Sequence, residues 1–422
     1  MPCMPDTPAL RRARHIARRM MYNQGRQAGS QQDDMKSMPV INLANSILDK
    51  AIALGASDIH IEPYESYFRV RCRVDGVLEE TLRAPTDVYP ALSTRLKLVA
   101  GMNIAEKRLP QDGRIDHESG GKNADIRAST IPTVHGEKLE LRIHDKGAAN
   151  FTRGLLGLSG RQEELYEAML AAPHGVILLT GPTGCGKSTT LCTMAMELRS
   201  PTKNIVTIED PVEYVLDGIN QVSVNAKAGM TFASGLRSIL RQDPDIIVVG
   251  EVRDEETAQI ALRAAITGHL VLSTLHTNDA PGTVTRLVNM GLEPYLLADS
   301  LVGIISQRLM RKVCPKCREE RPADEVECGI LGVAPGSGVT LSHEKGCEAC
   351  GGAGYSGRVP VHEMLLVDDR IRSHIERSHS YPEEIRKAAS AAGMRSIMEN
   401  AAELVLKGET TIKEMMRTVY VK

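Results

Sequence analysis

The run Gly181-Pro182-Thr183-Gly184-Cys185-Gly186-Lys187-Ser188 limits what this chain can be more than any other feature. It follows an apolar segment, Gly175 to Thr180, and opens a helical pattern, Lys187 to Leu198. A glycine-rich turn between strand and helix lets backbone N–H groups point inward around phosphate oxygens. The helix start adds the positive end of its dipole. Lys187 can bridge β- and γ-phosphates, Ser188 can hold Mg²⁺, and Thr189 completes the phosphate-facing stretch. The run is expected to bind a nucleotide.

Such a loop needs an acidic partner at the end of a neighbouring strand, to manage the metal and the attacking water. Ile246-Ile-Val-Val-Gly-Glu251 supplies one, and Thr207-Ile208-Glu209-Asp210 supplies a second. One carboxylate can orient the water while the other sits in the magnesium shell. The residues alone do not say which is which.

Around these motifs strands and helices alternate. Gly175–Thr180, Asn204–Ile208, Ile246–Val249 and Leu270–Thr274 read as strands, so an α/β domain with a largely parallel sheet is expected from about Leu158. Before it, Val40, Leu43, Ala44, Ile47, Leu48, Ala51 and Leu54 recur at helical spacing, with Gly55 as a stop. Phe68–Val74 alternates as a half-buried strand, and Asp75-Gly76 signals a hairpin into Val77. A compact α+β domain to about Asp145 follows. After Cys350 the pattern turns helical, with Gly408 ending one helix and Thr411 with Glu414 forming a capping box for the last.

Composition narrows the function. Lys plus Arg (51) nearly balance Asp plus Glu (53), and three Phe, ten Tyr and no Trp leave few stacking platforms, so nucleic acid is not an expected partner. No apolar run approaches the roughly 18–20 residues of a membrane span, and no secretory signal is visible, so a cytoplasmic protein is expected. Nine cysteines in such a chain point to metal where they cluster. Cys314-Pro-Lys-Cys317 and Cys347-Glu-Ala-Cys350, separated by 29 residues, are expected to form a closed, structural four-thiolate Zn²⁺ site. The intervening loop is longer than the usual spacing. Cys3, Cys72, Cys185, Cys192 and Cys328 read as packing or bystander residues.

The run Leu240-Arg241-Gln-Asp-Pro-Asp-Ile-Ile-Val-Val-Gly-Glu251-Val-Arg253-Asp254 resembles the signature of the type II secretion and type IV pilus assembly ATPases. Ile208-Glu209-Asp210-Pro211-Val-Glu213-Tyr is similar to that family's aspartate box. Thr267-Gly268-His269 to Leu275-His276-Thr277 is similar to its histidine box. Ser57-Asp58-Ile-His60-Ile-Glu62-Pro and Arg108-Leu-Pro-Gln-Asp112-Gly-Arg114 resemble its second N-terminal domain, and the likeness runs from about residue 40 to the C-terminus.

The resemblance implies a RecA-like P-loop ATPase domain behind an α+β, PAS-like domain, with a zinc element and a helical C-terminal part. It implies a homohexamer that hydrolyses ATP and drives an inner-membrane platform protein, lying peripherally at the inner face of that membrane. By it, Glu209 positions or deprotonates the water, Glu251 joins Ser188 at Mg²⁺, and His269 and His276 sense the γ-phosphate. Arg127 and Arg142 of the N-terminal domain would reach the γ-phosphate, while Arg237, Arg241 and Arg358 would lie near the nucleotide. Assembly and secretion members carry the zinc element, and pilus-retraction members lack it.

The expected segments are a basic arm 1–37, an α+β domain 38–150, an ATPase core 151–311, a zinc element 312–356 and a helical part 357–422. Larger family members carry a further N-terminal domain that docks on membrane partners, whereas here about 37 residues precede the second one. The arm has six arginines between Arg11 and Arg26 and reads either as a disordered tail or as a basic helix touching anionic lipid. Two other functions fit parts of the sequence. A nucleic-acid translocating, conjugation-type motor would also carry a phosphate loop and zinc. A nucleotide-binding scaffold would not need both carboxylates.

Overall fold

Tyr67–Val74 places Phe68, Val70 and Cys72 on one face of a strand and Arg69, Arg71 and Arg73 on the other, and this two-faced pattern organises the first half of the protein. The computed structural model describes residues 31–145, 151–158, 160–377 and 382–419. The chain divides into two units, Met1–Ala149 and Asn150–Lys422.

In the first unit, β1 (Asp58–Pro63), β2 (Tyr67–Val74), β3 (Val77–Pro85), β4 (Gln111–Ser119), β5 (Lys122–Thr133) and β6 (Gly136–Asp145) form an antiparallel sheet ordered β3-β2-β1-β6-β5-β4. The β2–β3 hairpin turns at Asp75-Gly76, both with positive φ (47° and 83°), as a type I′ turn requires. Ile59, Ile61, Phe68, Val70, Ile126, Leu139 and Leu141 bury one face in a core shared with Ala44, Ile47 and Leu48 of helix Gln31–Ala53 and Leu92 and Leu96 of helix Tyr89–Val99. That first helix begins nine residues before Val40 and runs through Pro39. Residues 31–39 carry no apolar stripe, so periodicity could not show them. The expected arm's stretch from Arg11 to Arg26 lies outside the described residues.

The second unit is built on seven strands, β7 (Gly175–Thr180), β8 (Ile205–Glu209), β9 (Asn220–Ser223), β10 (Ile246–Val249), β11 (Leu270–Leu275), β12 (Leu301–Val313) and β15 (Tyr355–Leu366), ordered β15-β12-β7-β11-β10-β8-β9. All neighbours are parallel except β12 and β15. Strands β7, β10 and β11 are buried along their whole length, which is why they read as unbroken apolar runs. The sheet therefore does not end at residue 311. The chain leaves it after β12, forms the cysteine element with β13 (Glu319–Pro322) and β14 (Thr340–His343), and returns as β15 before the C-terminal helices. The segment after Cys350 thus turns strand first, because Val359-Pro-Val-His-Glu-Met-Leu-Leu366 pairs along β12.

The last capping box is half formed. Thr411 Oγ1 accepts from Glu414 N at 3.1 Å, but the Glu414 carboxylate turns to Arg311 and Arg417 instead of Thr411. Among the described residues no helix is long and apolar enough to cross a membrane.

Candidate nucleotide site and four-cysteine cluster

The parallel strands β7, β11, β10 and β8 all point the same way, so the loops that leave their carboxyl ends gather at one edge of the sheet. Thr180 leads to the phosphate loop, Leu275 to His276, Val249 to Glu251, and Glu209 itself ends β8.

The phosphate loop is pinned from beneath by a residue that the sequence motifs did not reveal. Gln307, buried on β12, donates from Nε2 to the Cys185 carbonyl at 2.7 Å and accepts from Thr190 Oγ1 at 2.7 Å. Gly181 has φ +143°, and a Cβ there would come within 2.4 Å of the Gln307 carbonyl oxygen. At Gly186 a Cβ would sit 2.8 Å from Gln307 Nε2. Both glycines are therefore demanded by the close approach of β12. The one available signal was a Gln between the apolar pairs Ile304-Ile305 and Leu309-Met310, since a buried amide must find partners. Lys187 Nζ donates to the carbonyls of Gly181 (2.7 Å) and Pro182 (3.1 Å), and burial draws its pKa below the ordinary lysine value. Pro182, Thr183, Gly184 and Ser188 are exposed, while Thr189 is half-buried.

Thr277 N donates to Thr180 Oγ1 at 2.9 Å, tying the loop after β11 to the end of β7. His276 Nε2 lies 3.4 Å from Glu251 Oε2, and Arg253 joins Glu251 to Asp210, 3.2 Å away on the β8 side. Glu209 Oε1 accepts from Thr207 Oγ1 (2.6 Å) and Gln221 Nε2 (3.0 Å), so its carboxylate is oriented from two sides. Gly250 approaches Glu209 closely, a Cβ there falling 3.3 Å from its Cα. The two carboxylates thus stand on adjacent strands, with β11 between them and the phosphate-loop strand.

Other expected residues lie elsewhere. His269 precedes β11 beside Gly175, whose N–H donates to its carbonyl, so it sits at the opposite edge of the sheet from the phosphate loop of the same chain. That is roughly 20 Å along the strand. Its Nδ1 lies 2.8 Å from the Ala264 carbonyl oxygen. Arg237 pairs with Glu256 at 2.6 Å on the surface, and Arg241 leans on the Arg237 carbonyl at 2.7 Å just before the turn into β10. Arg358 stands opposite Arg311 on β15, four residues past Gln307 along the neighbouring strand and at the phosphate-loop edge. In the first unit, Arg127 and Arg142 are direct cross-strand partners, and Arg142 Nε donates to the buried carboxylate of Asp58 at 3.1 Å.

The four thiols Cys314, Cys317, Cys347 and Cys350 gather with all sulfurs within 4.8 Å of one another. Cys314–Cys347, Cys317–Cys350 and Cys347–Cys350 stand 4.0, 3.9 and 3.8 Å apart. A tetrahedron with Zn–S bonds of about 2.3 Å has edges of about 3.8 Å, so the cluster fits zinc. Burial opposes a thiolate at Cys350, but backbone N–H groups of Cys347 and Gly354, each 3.2 Å from its sulfur, bring its pKa down to about 6.

Residues 32–417 match the family described as type II/IV secretion system protein. The chain is 49% identical over 387 residues to type II secretion system protein E of Pseudomonas aeruginosa, covering 92% of this chain and 76% of that one. It is 46% identical over 381 residues to the type II secretion system ATPase E of Vibrio cholerae, covering 90% and 75%. Among solved structures, the ADP-bound pilus retraction motor PilT superposes with a TM-score of 0.58 at 29% identity, covering 88% of this chain and 96% of that one. The ATPase DotB of Legionella pneumophila shares the fold, with a TM-score of 0.63 at 22% identity and coverage of 88% and 93%.

Proposed function

The chain belongs to the type II/IV secretion system protein family, and we propose that it is the ATPase motor of a type II secretion machine. One observation carries the reading: Glu209, Glu251 and His276 leave adjacent strands at the edge where the phosphate loop lies. In this reading Lys187 bridges the β- and γ-phosphates, and the backbone N–H groups of the Gly181–Ser188 run, all but Pro182, surround them with Thr189. Ser188 and Glu251 hold Mg²⁺. Glu209, fixed by Thr207 and Gln221, orients the attacking water. His276 faces the γ-phosphate from beside Glu251.

Arg127 and Arg142 neutralise charge on the transferring phosphoryl group, and Arg358 lies near the nucleotide. His269 and Arg241 stand far from their own chain's phosphate loop, so a nucleotide contact for either requires a second copy. A sixfold ring with head-to-tail interfaces supplies one. The four cysteines hold a structural Zn²⁺, and the ring works peripherally at the inner membrane against a platform protein, with residues 1–37 adding electrostatic attraction to lipid.

The test is kinetic. Arg127→Ala and Arg142→Ala are expected to lower kcat far more than ATP affinity, and light scattering with ATP should report a hexamer. A monomer of full activity at high concentration would remove the basis for the ring.

A further inference from the structure

Glu363 lies on β15 directly opposite Ser306 of β12 and is 1% exposed. Its two carboxylate oxygens serve two different helices. Oε1 accepts from Ala280 N at 2.8 Å, the first residue of helix Ala280–Asn289. Oε2 accepts from Ile397 N at 3.1 Å, the first residue of helix Ile397–Leu406. Each helix start leaves N–H groups without partners inside its own helix, and a carboxylate also favours the positive end of the dipole.

The first of these helices follows directly on the loop that carries His276. Within that loop Asn278 O accepts from Arg308 Nη2 (2.7 Å) and from Ser306 Oγ (3.2 Å), and Asp279 Oδ1 accepts from Gly282 N (2.6 Å). Arg386, on helix Pro382–Ala391, reaches Asp279 Oδ2 at 2.9 Å and lies 3.9 Å from Glu363 Oε2. One buried carboxylate and one guanidinium therefore join the loop after β11 to two C-terminal helices.

We propose that Glu363 is a positioning residue that couples the His276-bearing loop to the C-terminal helices, so that displacement of either is transmitted to the other. The geometry has no slack: a glutamate offers two acceptor oxygens to two backbone donors, while a glutamine offers one oxygen and a competing N–H₂. The mechanical link stands on these contacts alone. Its consequence for turnover rests on the reading of His276 given above.

Hydrogen exchange on the full chain tests the link without reference to chemistry. In Glu363→Gln, residues 276–283 and 397–400 should both exchange faster, by roughly tenfold, as for a lost helix cap, while the buried strand 175–180 keeps its protection. Ser396→Ala, which removes the cap of the second helix, should also loosen 276–283, but not further when Glu363→Gln is present. Should Glu363→Gln fail to fold, Arg386→Gln carries the test, with faster exchange expected in the same loop. A folded variant whose 276–283 segment exchanges at the wild-type rate overturns the coupling. For turnover, kcat in Glu363→Gln should fall about tenfold with KM for ATP within about twofold, because the loop is displaced and not removed. Normal kcat in Glu363→Gln beside a slow His276→Ala overturns the positioning role. Normal kcat in His276→Ala instead refutes the reading of that histidine, and the exchange result then decides the coupling by itself.

Discussion

The imidazole of His276 faces the carboxylate of Glu251, with 3.4 Å between Nε2 and Oε2. They are brought together because β10 and β11 are parallel neighbours in register, Val249 opposite Ser273, so both loops emerge at the same height. A group held there can respond to charge on a nucleotide without being part of the phosphate loop. His276→Ala should accordingly lower kcat by about 10²-fold while leaving the ATP dissociation constant nearly unchanged, as expected for a donor that acts on developing charge. Equal losses in affinity and rate would mean that it is only a binding contact.

Gln307 holds the phosphate loop through Cys185 and Thr190. Gln307→Leu takes the donor from the Cys185 carbonyl and leaves the Thr190 hydroxyl only its longer bond to the Gly186 carbonyl at 3.3 Å, at a cost of about 1–3 kcal/mol. The variant should show a lower Tm and weaker ATP binding together. Tight nucleotide binding in a destabilised variant would show that the loop keeps its shape unaided.

The phosphate loop, both carboxylates and the cysteine pairs were legible because each is a local run whose chemistry needs adjacent residues. Gln307 was not, since its partners lie more than a hundred residues away and only the pairing of β12 with β7 brings them within reach. His269 shows a related limit: seven positions separate it from His276, and a fully extended β11 carries that separation to the far edge of the sheet of its own chain. The return of β15 was hidden for a related reason. A strand that closes a sheet after a long insertion has no neighbour in sequence to announce it.

Two acid-sensitive groups titrate in different windows. His362 is fully buried, and burial pulls its pKa from the ordinary 6.5 down to about 4. Its neutral form is favoured on folding, so the stability it contributes is complete above about pH 6.5 and falls as the pH drops toward 4, by about 2 kcal/mol at pH 5. Burial would raise the Glu62 carboxyl, but hydrogen bonds from Arg71 and Arg69 overcome it and bring the pKa down to about 2. Its contribution is complete above about pH 4.5 and is lost as the pH falls toward 2. Urea denaturation of the full chain at pH 7.5 and 5.0 should show that His362→Leu removes part of the pH dependence, whereas Glu62→Gln leaves this interval unchanged.

Metal analysis should find one zinc per chain in protein purified without chelator. Structural zinc contributes on the order of 10–16 kcal/mol in small domains, so its removal, or Cys347→Ser, should unfold the region around 312–356. Met310, Leu331, Leu341, Val361 and Met415 share one core there, so loosening should spread to the last helices while the buried strand 175–180 stays protected from exchange. Protein that holds no zinc and keeps this region ordered would contradict the assignment.

In the proposed reaction the carboxylate at the end of β8 orients the water that attacks ATP. The direct measurement is steady-state phosphate release alongside equilibrium ATP binding, in the wild type and in Glu209→Gln. Removing a water-orienting group spares the ground-state phosphate contacts, so hydrolysis should fall by about 10³-fold or more while the ATP dissociation constant stays within about threefold. Near-normal phosphate release by a folded Glu209→Gln protein that binds ATP would contradict that role for Glu209.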